Sequence, residues 1–203
     1  MSKKSIVIHI VGAAIILLGL VESINYNRKV LSRANNIEPM DLVSWGIGIM
    51  ISLAIALLLV AGIYGMKSIY ALYCKVAGTV TGIFLTSIRL ASEHISMNMQ
   101  SYLKVLVSFT CTLLFVIFLL LYVGKVTNML VTMIVTSICC VIPGILSLME
   151  FVQIVGLHLG YCIGYVQFLI QILLNVSVIV AIIWCVENDR KAEAVVEKNN
   201  SEQ

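Results

Sequence analysis

The stretch 164–186, GYVQFLIQILLNVSVIVAIIWCV, contains no charged side chain. A helix of about 20 mainly apolar residues crosses the roughly 30 Å hydrocarbon core of a bilayer, so this stretch predicts one membrane crossing. Five other stretches meet the same test, at residues 5–24, 42–64, 69–90, 102–123 and 128–149. We therefore expect an all-α fold, that of a polytopic integral membrane protein with about six transmembrane helices joined in short hairpins.

The number of crossings depends on the segment before this stretch. Residues 151–186 are too long for one crossing and too short for two, and Pro143 interrupts the preceding stretch. Five or seven helices are therefore alternatives to six. We expect residues 1–186 to form a single helical transmembrane domain, and residues 187–203, which mix acidic and basic side chains, to form a loosely ordered polar tail.

The composition of the whole chain supports a membrane location. Of its 203 residues, 61% are hydrophobic and 11% are charged, whereas soluble domains are nearer to half apolar and a quarter charged. The lipid bilayer is therefore the expected partner. The net charge of +3 is spread over loops and termini, so the sequence predicts no clustered basic surface for nucleic acid.

Basic residues predict the orientation. With the amino terminus inside, eight Lys and Arg residues lie on the inner side and five on the outer side. The positive-inside rule then places both termini in the cytoplasm. The first apolar stretch resembles a signal peptide, but residues 21–23 match a signal-peptidase cleavage site poorly. We therefore expect the first helix to be retained in the mature protein.

Small and amide side chains recur on one helical face just before and within the sixth stretch. The set consists of Gly156, Gly160, Gly164, Gln167, Gln171 and Asn175. Spacings of three and four residues place it on one stripe, the pattern of a glycine zipper followed by amides. Such a stripe can pack against another helix of the chain, form a homo- or hetero-oligomer interface, or line a solute path. A second small-residue motif, Gly78 and Gly82, is its candidate packing partner.

Ionisable residues within the apolar stretches are few. Most, including Lys75, lie near predicted boundaries, where long side chains reach water. We expect His9 to be a hydrogen-bonded structural residue. Glu150 and His158 are the candidates for a proton-coupled polar site.

The sequence carries no recognisable enzyme motif, metal-ligand cluster or cofactor-binding turn. We expect a non-enzymatic membrane protein that acts through helix contacts, as a scaffold, an assembly subunit or an organiser of the bilayer. The alternative is a small-solute transporter, or a subunit of one, with a polar site at Gln167, Gln171 and Asn175.

Overall fold

A computed structural model of the chain describes residues 3–31, 39–92, 99–155 and 162–201. Its helices are α1 (Lys3–Leu31), α2 (Pro39–Gly62), α3 (Ile69–Ser92), α4 (Met99–Val123), α5 (Met129–Val155) and α6 (Cys162–Ser201). Each contains a segment that is long and apolar enough to cross a membrane. For this part of the chain, the prediction of an all-helical fold with six such helices is confirmed.

The end of α6 differs from the expectation. The polar residues 187–201, expected to be loosely ordered, continue the helix to Ser201. Two physical reasons account for this. Residues 187–198 include several Glu, Lys and Ala, which favour helix. In addition, Glu187, Asn188 and Arg190 bond to other helices and Asp189 bonds to the α2–α3 turn.

The six helices form a ring in chain order. Each packs against the next, and α6 closes the ring against α1. Turns at 63–68 and 124–128 join α2 to α3 and α4 to α5 at one end of this ring, which we call the turn end. The backbone N–H of Ser68 in the first turn donates to Asp189 of α6 (2.8 Å), and Asn188 donates to the hydroxyl of Ser5 (2.9 Å). The start of α1 and the polar part of α6 therefore lie at the turn end too.

Both turns end the preceding helix with a left-handed residue. Gly65 has φ +100° and is followed by a bond from the Met66 N–H to the Ala61 carbonyl (3.3 Å). The second turn repeats this bond with Lys125 at φ 59°. This arrangement satisfies carbonyls that a helix terminus leaves free, so the turns are compact and fix neighbouring helices together.

Tight packing is concentrated towards the turn end. The largest side chains with at most 1% exposure include Leu59, Leu72, Leu119, Tyr122, Ile182 and Ile183. The outer surface is apolar: Leu57 is 61% exposed, Phe84 64% and Leu173 65%. Leaving a large apolar side chain in water costs about 1.5–3 kcal/mol, so this exposed surface is consistent with a multi-pass membrane protein.

Candidate functional site

The predicted amides of α6 line a cavity between α1, α5 and α6. Gln167, Gln171 and Asn175 all contribute to its wall, and its volume is about 590 Å³. The other lining residues are Ser23, Tyr26, Asn27, Cys140, Pro143, Gly144, Ser147, Phe168 and Ile172. We call this space the amide cavity; it lies in the half of the bundle away from the turn end.

Two buried amide atoms of the cavity wall have no hydrogen-bond partner among the residues that the structure describes. They are Nε2 of Gln167 and Oε1 of Gln171. An unpaired buried polar atom costs about 1–3 kcal/mol of folding free energy, so native proteins seldom keep one without a reason. The amide cavity holds a donor and an acceptor one helical turn apart, both unpaired.

The orientation of the Gln167 amide follows from its neighbour Lys29. The ammonium of Lys29 lies 3.5 Å from Oε1 of Gln167. An ammonium can only donate, so this atom must be the oxygen and the unpaired atom must be the nitrogen. Gln167 therefore presents its N–H groups away from Lys29.

The helix α1 contributes amide and hydroxyl groups to the opposite wall. Asn27 donates from its Nδ2 to the Ser23 carbonyl (2.8 Å), which holds this side chain along its own helix. Tyr26 meets Phe168 edge to face, with ring centroids 6.1 Å apart. This pair gives the cavity an aromatic wall beside its polar one.

The helix α5 supplies the third wall. Gly144 permits a close approach, since a Cβ there would lie 2.5 Å from Cγ1 of Ile172 on α6. Pro143 has no N–H and cannot bond the carbonyl of Cys139, which weakens the helix at the cavity.

The other predicted site residues are placed as follows. Gly156, Gly160 and His158 lie outside the described residues, as does the side chain of Glu150. Gly164 is half-buried in α6.

The second small-residue motif meets α2 at one position only. A Cβ on Gly78 would lie 2.8 Å from Cδ1 of Ile51, whereas Gly82 has no neighbour within 4 Å. The amides of α6 instead face α1 and α5. Gly82 therefore leaves a small-residue surface open on α3.

A second polar cluster, at the turn end, joins three elements around His9. The ring donates from Nδ1 to the Ser5 carbonyl (2.8 Å), and its Nε2 lies 2.7 Å from Oγ of Ser68 and 3.4 Å from Oδ1 of Asp189. The backbone N–H of Ser68 donates to Oδ2 of Asp189 (2.8 Å). We call His9, Ser68 and Asp189 the His9 cluster; it ties α1 and the α2–α3 turn to α6.

The His9 cluster is closed to solutes. His9 and Ser68 have no exposed surface, and a Cβ on Gly62 would lie 2.7 Å from Cδ2 of the ring. A serine bonded to a histidine can act as a nucleophile, but a substrate cannot reach this hydroxyl. The cluster therefore has the geometry of a structural tie.

Further polar contacts extend this tie along α6. The hydroxyl of Tyr122 donates to Glu187 (3.0 Å), while Arg190 donates to the Tyr122 carbonyl (3.1 Å) and lies over its ring. Lys67 and Glu193 form an exposed ion pair at 2.9 Å, and Glu193 raises the pKa of Lys67 above its ordinary value. The polar end of α6 is thus held by α4 as well as by the α2–α3 turn.

The sequence did not reveal the His9 cluster. The sequence predicts a hydrogen-bonded His9 but places Asp189 in the polar tail and Ser68 between two predicted helices. Gly12 and Gly19 were also not singled out; a Cβ there would lie 3.4 Å from Sγ of Cys185 and 3.8 Å from Cγ2 of Val178. Their seven-residue spacing was a usable signal, since it places both on one face of α1.

Within the described residues, no group of His, Cys, Asp or Glu could hold a metal ion. The chain matches no protein-family model, no curated protein and no solved structure. The functional assignment therefore rests on the geometry of the amide cavity.

Proposed function

We propose that this chain is a multi-pass membrane protein that binds a small polar solute in the amide cavity, as a small-solute transporter or a subunit of one. The observation that carries the proposal is the pair of unpaired buried amide atoms on Gln167 and Gln171. Hydrogen-bonding groups in an apolar bundle give a solute a replacement for the water it leaves. The proposal contains no catalytic step.

The asymmetry between the two ends of the bundle supports this role. The amide cavity occupies one half, whereas the His9 cluster and tightly packed apolar side chains close the other. A protein that carries a solute needs a polar site within the membrane that is closed on one side. In the orientation predicted from the basic residues, both termini are cytoplasmic and the amide cavity lies in the outer half of the membrane.

Solute flux into liposomes tests the proposal. We expect liposomes containing the protein to take up a small polar solute from a panel of glycerol, acetamide, glycine and xylitol faster than empty liposomes. Gln171→Leu should abolish that uptake, because it removes the unpaired acceptor. Gln153→Leu, on an exposed position of α5, is the matched control and should leave uptake unchanged. Equal flux of every solute with and without the protein would contradict the proposal.

A contact role remains the second candidate, as a scaffold, an assembly subunit or an organiser of the bilayer. The observation that favours it is the open surface at Gly82, where another helix could approach closely. Gly82→Ile should then reduce crosslinking between chains, or to a partner that co-purifies, in mild detergent. An unchanged crosslinking pattern would count against this role.

A further inference from the structure

We propose that the solute of the amide cavity is a small neutral amide, carrying a carbonyl oxygen and an N–H on neighbouring atoms. The inference rests on the proposed function and names its ligand class. It depends on which groups the wall presents, how they are spaced and which charges are near them.

The described part of the wall is uncharged. Among the lining residues that the structure describes, the polar side chains carry hydroxyl, thiol or amide groups, and none is acidic or basic. A charged solute would lose its hydration without gaining a counter-charge from this wall. The ammonium of Lys29 contacts Oε1 of Gln167 and not the unpaired nitrogen, so the two unpaired atoms offer hydrogen bonds to a neutral solute.

The two unpaired atoms specify a donor and an acceptor in the ligand. Lys29 fixes the Gln167 amide with its nitrogen unpaired, so the ligand must bring an acceptor to this point. Gln171 leaves an oxygen unpaired, so the ligand must bring a donor there. The two residues are four positions apart on α6, where Cβ atoms lie about 5–6 Å from each other.

A primary amide matches both requirements with one rigid group. Its oxygen accepts from Gln167 while its N–H donates to Gln171, and its planar shape can rest against the edge-to-face pair Tyr26 and Phe168. Two further side-chain amides, Asn27 and Asn175, line the same space. A ligand with an acceptor but no donor, or with a negative charge, satisfies only half of this arrangement.

Binding to the purified full-length chain in mild detergent is the direct test. The probes are acetamide, acetate and N,N-dimethylacetamide, which has a carbonyl but no N–H. The readouts are the increase in thermal stability with ligand concentration and equilibrium binding of radiolabelled acetamide. We expect acetamide to bind and the other two to bind at least about tenfold more weakly, as the loss of one hydrogen bond implies.

Variants separate recognition from folding. Gln167→Glu keeps the shape of the side chain and its contact with Lys29 but replaces the N–H donor, so acetamide binding should weaken about tenfold. Gln153→Leu should bind like the original chain. Each variant is first checked for an unchanged elution profile in detergent, so that a misfolded protein is not scored.

The outcomes distinguish this inference from the proposed function. If glycerol or glycine crosses liposomes and acetamide neither crosses nor binds, the ligand class is wrong while the transport proposal stands. If acetate binds as tightly as acetamide, the cavity accepts a negative charge and the proposal of a neutral ligand is wrong. If no solute in the panel crosses or binds, both proposals fail.

Discussion

The same two helices build a closed polar cluster at one end of the bundle and an open polar cavity at the other. At the turn end, His9 of α1 and Asp189 of α6 meet within a set of satisfied hydrogen bonds. Towards the far end, Gln167 and Gln171 of α6 keep unpaired atoms beside Asn27 of α1. Polar groups that are fully paired tie a structure together, whereas unpaired buried groups call for an explanation, which here is the proposed ligand.

The comparison predicts opposite effects of polar-to-apolar substitutions at the two ends. At the His9 cluster, Asp189→Leu should lower the free energy of unfolding by about 3 kcal/mol, because the buried Ser68 N–H loses its charged acceptor. The midpoint of denaturation in detergent measures this loss. Asp189→Asn keeps an acceptor oxygen and should lose about half as much; an equal loss in both variants would show that the hydrogen bond to Ser68 is not the cause.

A smaller effect is expected from filling the space beside the histidine ring. Gly62→Ala should lower the free energy of unfolding by about 2 kcal/mol, since the new Cβ would lie 2.7 Å from Cδ2 of His9. The control is Gly82→Ala, which has no neighbour within 4 Å and gains helix propensity. Thermal melting of both proteins in one detergent makes the comparison, and equal melting temperatures would refute the tight packing of His9.

The smallest expected change in the free energy of unfolding is an increase. Gln171→Leu should raise the free energy of unfolding by about 1 kcal/mol, because it removes an unpaired buried acceptor. The same variant should lose solute uptake, so that stability rises while function falls. Gln153→Leu should change neither quantity. A clear destabilisation by Gln171→Leu would mean that its oxygen is bonded in the folded protein and that the cavity is structural.

The sequence predicted the six helices because each must present enough apolar surface to match a bilayer, and that requirement is local. It also predicted that Gln167, Gln171 and Asn175 face protein or water, and all three line the amide cavity. Which helices face them could not be read from spacing. The sequence offers Gly78 and Gly82 of α3 as the candidate packing partner of the stripe, whereas the described walls of the amide cavity come from α1 and α5.

The polar end of α6 was mispredicted for a related reason. A mixed-charge segment at a chain terminus is usually solvated, and nothing local distinguishes Asp189 from its neighbours. Its partners, His9 and Ser68, are 180 and 121 positions away in the chain. Only the closing of α6 against α1 brings these residues together, and that is a property of the assembled ring.

The unbroken length of α6 mechanically couples its two sites. Its 40 residues span about 60 Å at 1.5 Å per residue, roughly twice the hydrocarbon thickness. Gln171 and Asp189 are 18 positions apart, which is five full turns. Both side chains therefore project from the same side of the helix. Any twist of α6 that turns Gln171 away from its cavity would therefore swing Asp189 out of reach of His9 by the same angle.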